Sequence, residues 1–245
     1  MRNMFPTASI SRPQINVKGV IKMGFDRAAI KANARLHVKN NYGPNILVFV
    51  IYVAICTVCA AIPVVGWVAE LLVTPLMLVG YIGWFQKSIY QQGLSSGEIF
   101  APFKENMWGT MGTMLLMSLK VMLWSLLLYI PGIVKSYEYF AVPFLKSENP
   151  NIPCDRCFQM SKAMTDGHKM DIFIMQISFL GWIILSCFTF GILTIFYVQP
   201  YMMAANAFAY EQIKAEAIAN GRINPMEIDP AYGGGSFMGS DKVGF

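Results

Sequence analysis

The chain has 245 residues, 55% of them hydrophobic and 13% charged, with a formal net charge of +5. Soluble domains average about 45–50% apolar and about 25% charged residues, so a soluble globular fold is excluded: it could not cover this much apolar surface. The basic excess is not arranged as a cationic face interleaved with aromatics, so nucleic acid is not an expected partner.

Residues 1–24 are polar and aperiodic, with Pro6, Pro13 and Gly19, and predict a flexible N-terminal tail. From Phe25 a helical pattern starts. Phe25, Ala29, Ala32 and Leu36 share one face, and Arg27, Lys31 and Arg35 lie four apart on another. Asp26 suits the start of this helix and Asn40-Asn41-Tyr42-Gly43-Pro44 its end. Such a basic amphipathic helix lies either in a lipid headgroup layer or against the rest of the protein.

Long apolar runs follow, at 46–65, 71–86, 109–130 and 172–210, with Lys120 as their one charge. About 20 apolar residues cross about 30 Å of hydrocarbon. The expected fold is therefore an all-α membrane protein of six transmembrane helices, in three hairpin repeats joined by amphipathic cytoplasmic helices. The first hairpin runs 46–63 and 67–90, the second 109–130 and 133–145, the third 171–188 and 192–210. The segment 133–145 is short, with Lys135 and Glu138 inside it, and reads as a short span or a re-entrant segment. Polar connectors run over 94–107 and 146–170. The last helix is expected to continue outward through Glu216 and stop at Asn220-Gly221, and 214–245 forms that extension plus a flexible C-terminal tail. The membrane domain is thus 25–213.

The repeat is visible in the residues. Pro63, Glu70 and Pro75 recur as Pro131, Glu138 and Pro143, each pair separated by 68 positions. The third hairpin keeps Pro200 but lacks the turn proline and the glutamate. Six spans put both termini on one side. Arg2, Arg12, Lys18, Lys22, Arg27, Lys31, Arg35 and Lys39 stand against Asp26 alone before the first run, and Lys146, Arg156, Lys162 and Lys169 fall in a later connector. The positive-inside rule then makes both termini cytoplasmic. A signal peptide and a lipid anchor are not expected, since the first long run begins near Ile46 and Arg2 follows Met1.

Leu128-Tyr129-Ile130-Pro131-Gly132-Ile133-Val134-Lys135-Ser136-Tyr137, then Pro143, Glu148-Asn149-Pro150, Ser161, Met164, Gly167-His168-Lys169, Gly181-Trp182 and Pro200-Tyr201, form a combination that resembles a bacterial integral-membrane family of unknown function numbered 975. Asp26-Arg27-Ala28 with Ile30-Lys31 is similar to that family's start, so the resemblance covers about 25–213. It implies a six-span, multi-pass protein of the bacterial plasma membrane and carries no activity with it. The family is also distantly similar to the membrane region of some glycerophosphodiester phosphodiesterases, whose catalytic domain has no room here.

Ionisable residues in apolar helices are costly and are functional or paired. The candidate intramembrane polar site is Glu70, Lys120, Lys135 and Glu138. Lys135 and Glu138 are three apart and can pair locally. Glu70 and Glu138, equivalent in the repeat, could face one another and share a proton or cation, and Glu70 is the expected partner of Lys120. Candidate lipid-headgroup contacts are Arg27, Lys31, Arg35, His168 and Lys169. No catalytic residue is assigned: Gly-x-Ser-x-Gly, His-Glu-x-x-His and phosphate-cradling loops are absent from the sequence. No metal or cofactor is expected. Cys56/Cys59 and Cys154/Cys157 have Cys-x-x-Cys spacing, but three of the five cysteines, Cys56, Cys59 and Cys187, lie in apolar runs, where they act as small hydrophobes.

Three functions remain open. The first is a non-enzymatic protein that binds or scaffolds a lipid, peptide or membrane-protein partner, or a homo-oligomer. The second is a small transporter or channel using the intramembrane Glu and Lys residues, and the third is a membrane enzyme. A pocket uniting Glu70, Glu138 and Lys120 would favour transport; their burial in closed pairs would favour binding or scaffolding.

Overall fold

A computed structural model describes residues 25–62, 65–90, 94–127, 129–189 and 191–229. The expected tails at 1–24 and 230–245 and the turn proline Pro63 lie outside the described residues. All regular elements described are helical. In chain order they are α1 (Arg27–Asn40), α2 (Tyr42–Ala61), α3 (Val65–Tyr90), a 3-10 turn (Ser96–Phe100), α4 (Ala101–Lys104), α5 (Met107–Leu127), α6 (Tyr129–Glu138), α7 (Val142–Glu148), α8 (Cys154–Thr165), α9 (Lys169–Ile177), α10 (Leu180–Cys187), a π-helical turn (Thr194–Val198), α11 (Gln199–Ala219) and α12 (Pro225–Ile228).

Three stretches are long and apolar enough to cross a membrane: Tyr42–Ala61, Met107–Leu127 and Lys169–Cys187. Only 17%, 22% and 22% of their apolar windows are buried. Their side chains therefore face outward, where water would be a poor solvent for them.

The centre of the fold is α3, which packs against α2, α7 and α11. It buries Met77, Val79, Tyr81, Trp84 and Phe85. The 3-10 turn closes on it so tightly that a Cβ at Gly80 would fall 1.8 Å from the Ile99 carbonyl oxygen, so only glycine fits there. Trp84 Nε1 donates to the Ser95 carbonyl at 3.2 Å and fixes the same turn. On α11, Ala204, Ala205, Ala207 and Ala209 are fully buried. Small residues let helix axes approach closely, and α1 packs along this helix.

Asp26 caps α1, accepting from the Ala28 and Ala29 amides at 2.9 and 3.0 Å. The packed face differs from the expected one. Ile30, Ala34, His37 and Val38 are buried, whereas Ala29 and Ala32 are exposed and Leu36 is 58% exposed. Both stripes have helical spacing. The one carrying Ile30 and Val38 covers more apolar area against α11 than the two alanines would.

The second hairpin also differs. The expected turn at Pro131-Gly132 lies inside the first turn of α6, and the expected return over 133–145 is two helices. A bend at 139–141 separates α6, ten residues long, from α7. Proline explains the break. Pro143 has no N–H for the Tyr139 carbonyl, and the Val142 amide donates instead to that carbonyl at 3.1 Å, one residue early. The Glu138 carbonyl is left without a helical partner. In the equivalent first copy, Pro75 sits inside a continuous α3. Copies that match in sequence are therefore not matched in local structure.

The third hairpin shows similar irregularity. A bend at 178–179 divides α9 from α10, and the π-helical turn precedes Pro200. A widened turn is a common accommodation next to a proline. The last helix runs to Ala219, as expected, but the chain beyond it is packed. Ile223 and Ile228 are buried, and α12 docks onto α8.

Candidate functional site

One buried polar centre lies at the α6–α7 break. Glu138 is 6% exposed. Its Oε1 accepts from Lys135 Nζ at 2.8 Å, and its Oε2 accepts from Lys169 Nζ at 2.9 Å. Lys135 is held further between aromatic rings, 5.5 Å from the Trp124 centroid and 5.9 Å from that of Tyr139. The freed Glu138 carbonyl accepts from Ser161 Oγ at 2.8 Å. Thr165 Oγ1 lies 3.3 Å from the same carbonyl, but its single proton is better placed on the Ser161 carbonyl at 2.9 Å. A side-chain anion and a main-chain acceptor of one residue are thus satisfied by three helices, α6, α8 and α9.

Lys120 and Glu70 do not join this centre. Lys120 Nζ sits over the Phe158 ring, 3.8 Å from its centroid. The expected Lys120–Glu70 pair is corrected to a cation–π contact, which an ammonium can make without a carboxylate. Glu70 is exposed on α3 and forms no ion pair among the described residues. The expected facing pair of Glu70 and Glu138 is also absent, because Glu138 is closed by its two lysines.

A second centre was not visible in the sequence pattern. Lys214 is 8% exposed on α11. Its Nζ donates to Glu148 Oε1 at 2.6 Å and to Glu211 Oε1 at 2.9 Å. Tyr210 donates its hydroxyl to Glu148 Oε2 at 2.7 Å, and its ring stacks on Phe144 at 4.8 Å. Burial works against the Lys214 charge, but the two carboxylates outweigh it and raise its pKa above the ordinary lysine value. Glu211 and Lys214 are one turn apart, which was readable; Glu148 comes from 66 positions away.

Around this centre the connector is pinned by further bonds. Lys146, 2% exposed, donates to the carbonyls of Pro150 at 3.1 Å and Ile152 at 2.7 Å. Burial lowers its pKa. Arg156 forms a fork with Glu227, Nε to Oε2 at 2.6 Å and Nη2 to Oε1 at 2.9 Å. Hydrogen bonding to Arg156 holds the Glu227 carboxyl below its ordinary value.

Of the expected headgroup contacts, two are already engaged. Lys169 is bound to Glu138, and His168 places Nε2 3.0 Å from Glu216 Oε1. Arg27, Lys31 and Arg35 form no ion pair among the described residues. No group of three or more His, Cys, Asp or Glu side chains that could hold a metal ion is present among the described residues, and the five cysteines are free thiols. Cys157 is buried, its thiol pushed up to about 12 by desolvation.

No curated protein and no solved structure matches the chain. Residues 126–217 match the family model described as a protein of unknown function (DUF975), the family numbered 975 that the sequence resembles, and the glutamate centre at the α6–α7 break and the buried Lys214 network both fall inside that matched stretch.

Proposed function

We propose that this is a six-span bacterial plasma-membrane protein with cytoplasmic termini, and that it binds or scaffolds a membrane partner and performs no bond chemistry. The observation that carries this reading is the closure of its buried and half-buried charges. Glu138 is occupied by Lys135 and Lys169, Lys214 by Glu148 and Glu211, and Lys120 by the Phe158 ring. A transport site needs groups that can exchange partners with a solute. These groups instead fasten α6 to α9 and α7 to α11. The three outward-facing apolar helices support the membrane setting, with α3, α6–α7 and α11 as return legs. Cationic residues before α2 and in the connector from Lys146 to Lys169 favour a cytoplasmic side for both termini.

The alternative, a small transporter or channel, is favoured by the broken helices α6–α7 and α9–α10 and by the buried carboxylate at one of those breaks. Native mass spectrometry of the protein, extracted in mild detergent, separates the two. A stoichiometric lipid or protein partner is expected. A bare monomer, together with ion or solute flux in proteoliposomes that Glu138→Gln abolishes, would overturn the binding reading.

A further inference from the structure

Two cations that meet no carboxylate among the described residues lie beside the outward apolar surface, one of them, Arg35, next to the Tyr201 hydroxyl. Lys31 and Arg35 on α1 line a cleft of about 280 Å³, whose opposite wall is Ser178 and Phe179 at the α9–α10 bend, Trp182 on α10 and Tyr201 on α11. The Lys31 ammonium is 5.2 Å from the Phe179 ring centroid. With Arg27 these cations repeat every four residues along one helix, a like-charge row that disfavours itself. Several cations near the packed interior have carboxylates: Lys135 and Lys169 have Glu138, Lys214 has Glu148 and Glu211, and Arg156 has Glu227, while Lys146 is held by two carbonyls and Lys120 by a ring. Burial, and then the Arg27 charge, lower the Lys31 pKa, and an anion placed between Lys31 and Arg35 would offset both effects.

The walls of the cleft say which kind of anion. The adjoining turns of α10 present Leu180 at 50%, Ile183 at 40% and Ile184 at 55% exposure. Trp182, Tyr197 and Tyr201 form a chain of rings with centroids 5.5 and 5.9 Å apart. Amphipathic aromatic rings of this kind collect where headgroups meet acyl chains. A soluble anion would satisfy the cations and leave the apolar wall bare. A phospholipid satisfies both.

We propose that this cleft binds an anionic phospholipid, its phosphate held by Lys31 and the planar fork of Arg35 and its acyl chains laid along α10. The proposal deepens the binding reading by naming a lipid class and its place.

The test uses the full chain in mild detergent, titrated with dioleoylphosphatidylglycerol, with dioleoylphosphatidylcholine and with inorganic phosphate, and read by native mass spectrometry and thermal shift. Phosphatidylglycerol is expected to bind at least about tenfold more tightly than phosphatidylcholine. Lys31→Gln with Arg35→Gln should weaken it roughly 30-fold, on the scale of two basic groups at an anionic surface. Lys87→Gln, whose parent lysine is already paired with Glu98 at 2.7 Å, should leave it unchanged. Arg35→Lys keeps the charge and loses the fork, so it reports on the site if the double variant fails to fold; it should weaken phosphatidylglycerol severalfold. Unchanged affinity in either variant, equal binding of phosphatidylcholine, or equal stabilisation by inorganic phosphate alone would overturn the proposal. If one of those results came with another stoichiometric partner retained, this site would fall and the binding reading would stand. A wild-type protein that carries no partner at all would sink both.

Discussion

Replacing Lys214 with methionine should be among the most damaging single changes in the chain. The side chain is 11% exposed, as is Glu148, and Glu211 is 12% exposed. Lys214→Met keeps the volume and removes the cation, leaving two carboxylates facing each other with only the Tyr210 hydroxyl on one of them. Breaking a buried ion pair by removing one partner costs about 3–5 kcal/mol, because the other charge stays buried. That is a loss of about two to three and a half decades in the folding equilibrium. Replacing the whole set with neutral groups, Glu148→Gln, Glu211→Gln and Lys214→Met together, should return stability to within about 1 kcal/mol of the parent, since neutral substitutes for a buried ion network are commonly no worse. Unfolding in mixed micelles with increasing dodecyl sulfate, followed by tryptophan fluorescence, measures both. A cost below about 1 kcal/mol for Lys214→Met is the value for a solvated surface pair and would refute the buried network. So would a triple variant no more stable than the single one.

Ser161→Ala should cost about 1 kcal/mol, because Thr165 is the reserve donor to the Glu138 carbonyl, whereas Ser161→Ala with Thr165→Val orphans that carbonyl and should cost about 1–3 kcal/mol; the same micelle assay reads the non-additivity. Burial lowers the His37 pKa, so the unfolded chain binds the proton first: stability should be full above pH 6.5 and fall as pH drops from there through the folded value, a slope that His37→Gln should flatten in melting curves. Arg156→Ala removes a partly exposed fork and should cost no more than about 1 kcal/mol globally, yet hydrogen exchange in Pro225–Ile228 should accelerate while the α3 amides stay protected. Maleimide at pH 7.5 should label Cys154 well before Cys157 in the folded protein, and comparable rates by peptide mass spectrometry would contradict the buried, high-pKa thiol.

Apolar runs were the legible part of this chain, because outward-facing helices are specified by composition alone. The same runs concealed the breaks. Pro143 and Pro75 stand at equivalent repeat positions, and nothing local distinguishes them. One stands at a break between two helices and the other inside a continuous helix. At Glu138 a hydroxyl from α8, 23 positions away, accepts the role of helical donor; no side chain among the described residues donates to the Glu70 carbonyl. Where Val142 shifts its amide to the Tyr139 carbonyl that Pro143 cannot serve, a donor from another helix takes the Glu138 carbonyl left over, and that is tertiary information.

Charges followed the same division. Lys135 and Glu138 were legible as neighbours because three positions on a helix fix their distance. Lys169 and Glu148 were not, since their partners lie 31 and 66 positions away. Pseudosymmetry suggested instead that Glu70 would meet Glu138, and Glu70 was also the expected partner of Lys120. Repeat symmetry constrains where residues sit along their helices, not which helices become neighbours. Here α8 and α9 close on Glu138 and Phe158 lies against Lys120, while Glu70, at the matching sequence offset, is exposed. The cations that meet no carboxylate among the described residues, Arg27, Lys31 and Arg35, were the ones the helical spacing had already marked; Lys31 lies by the Phe179 ring and Arg35 by the Tyr201 hydroxyl. A cationic stripe read from sequence is therefore informative about ligands only after the fold has shown which of its charges meet carboxylates, and the two of this stripe that line a cleft, Lys31 and Arg35, border exposed apolar surface.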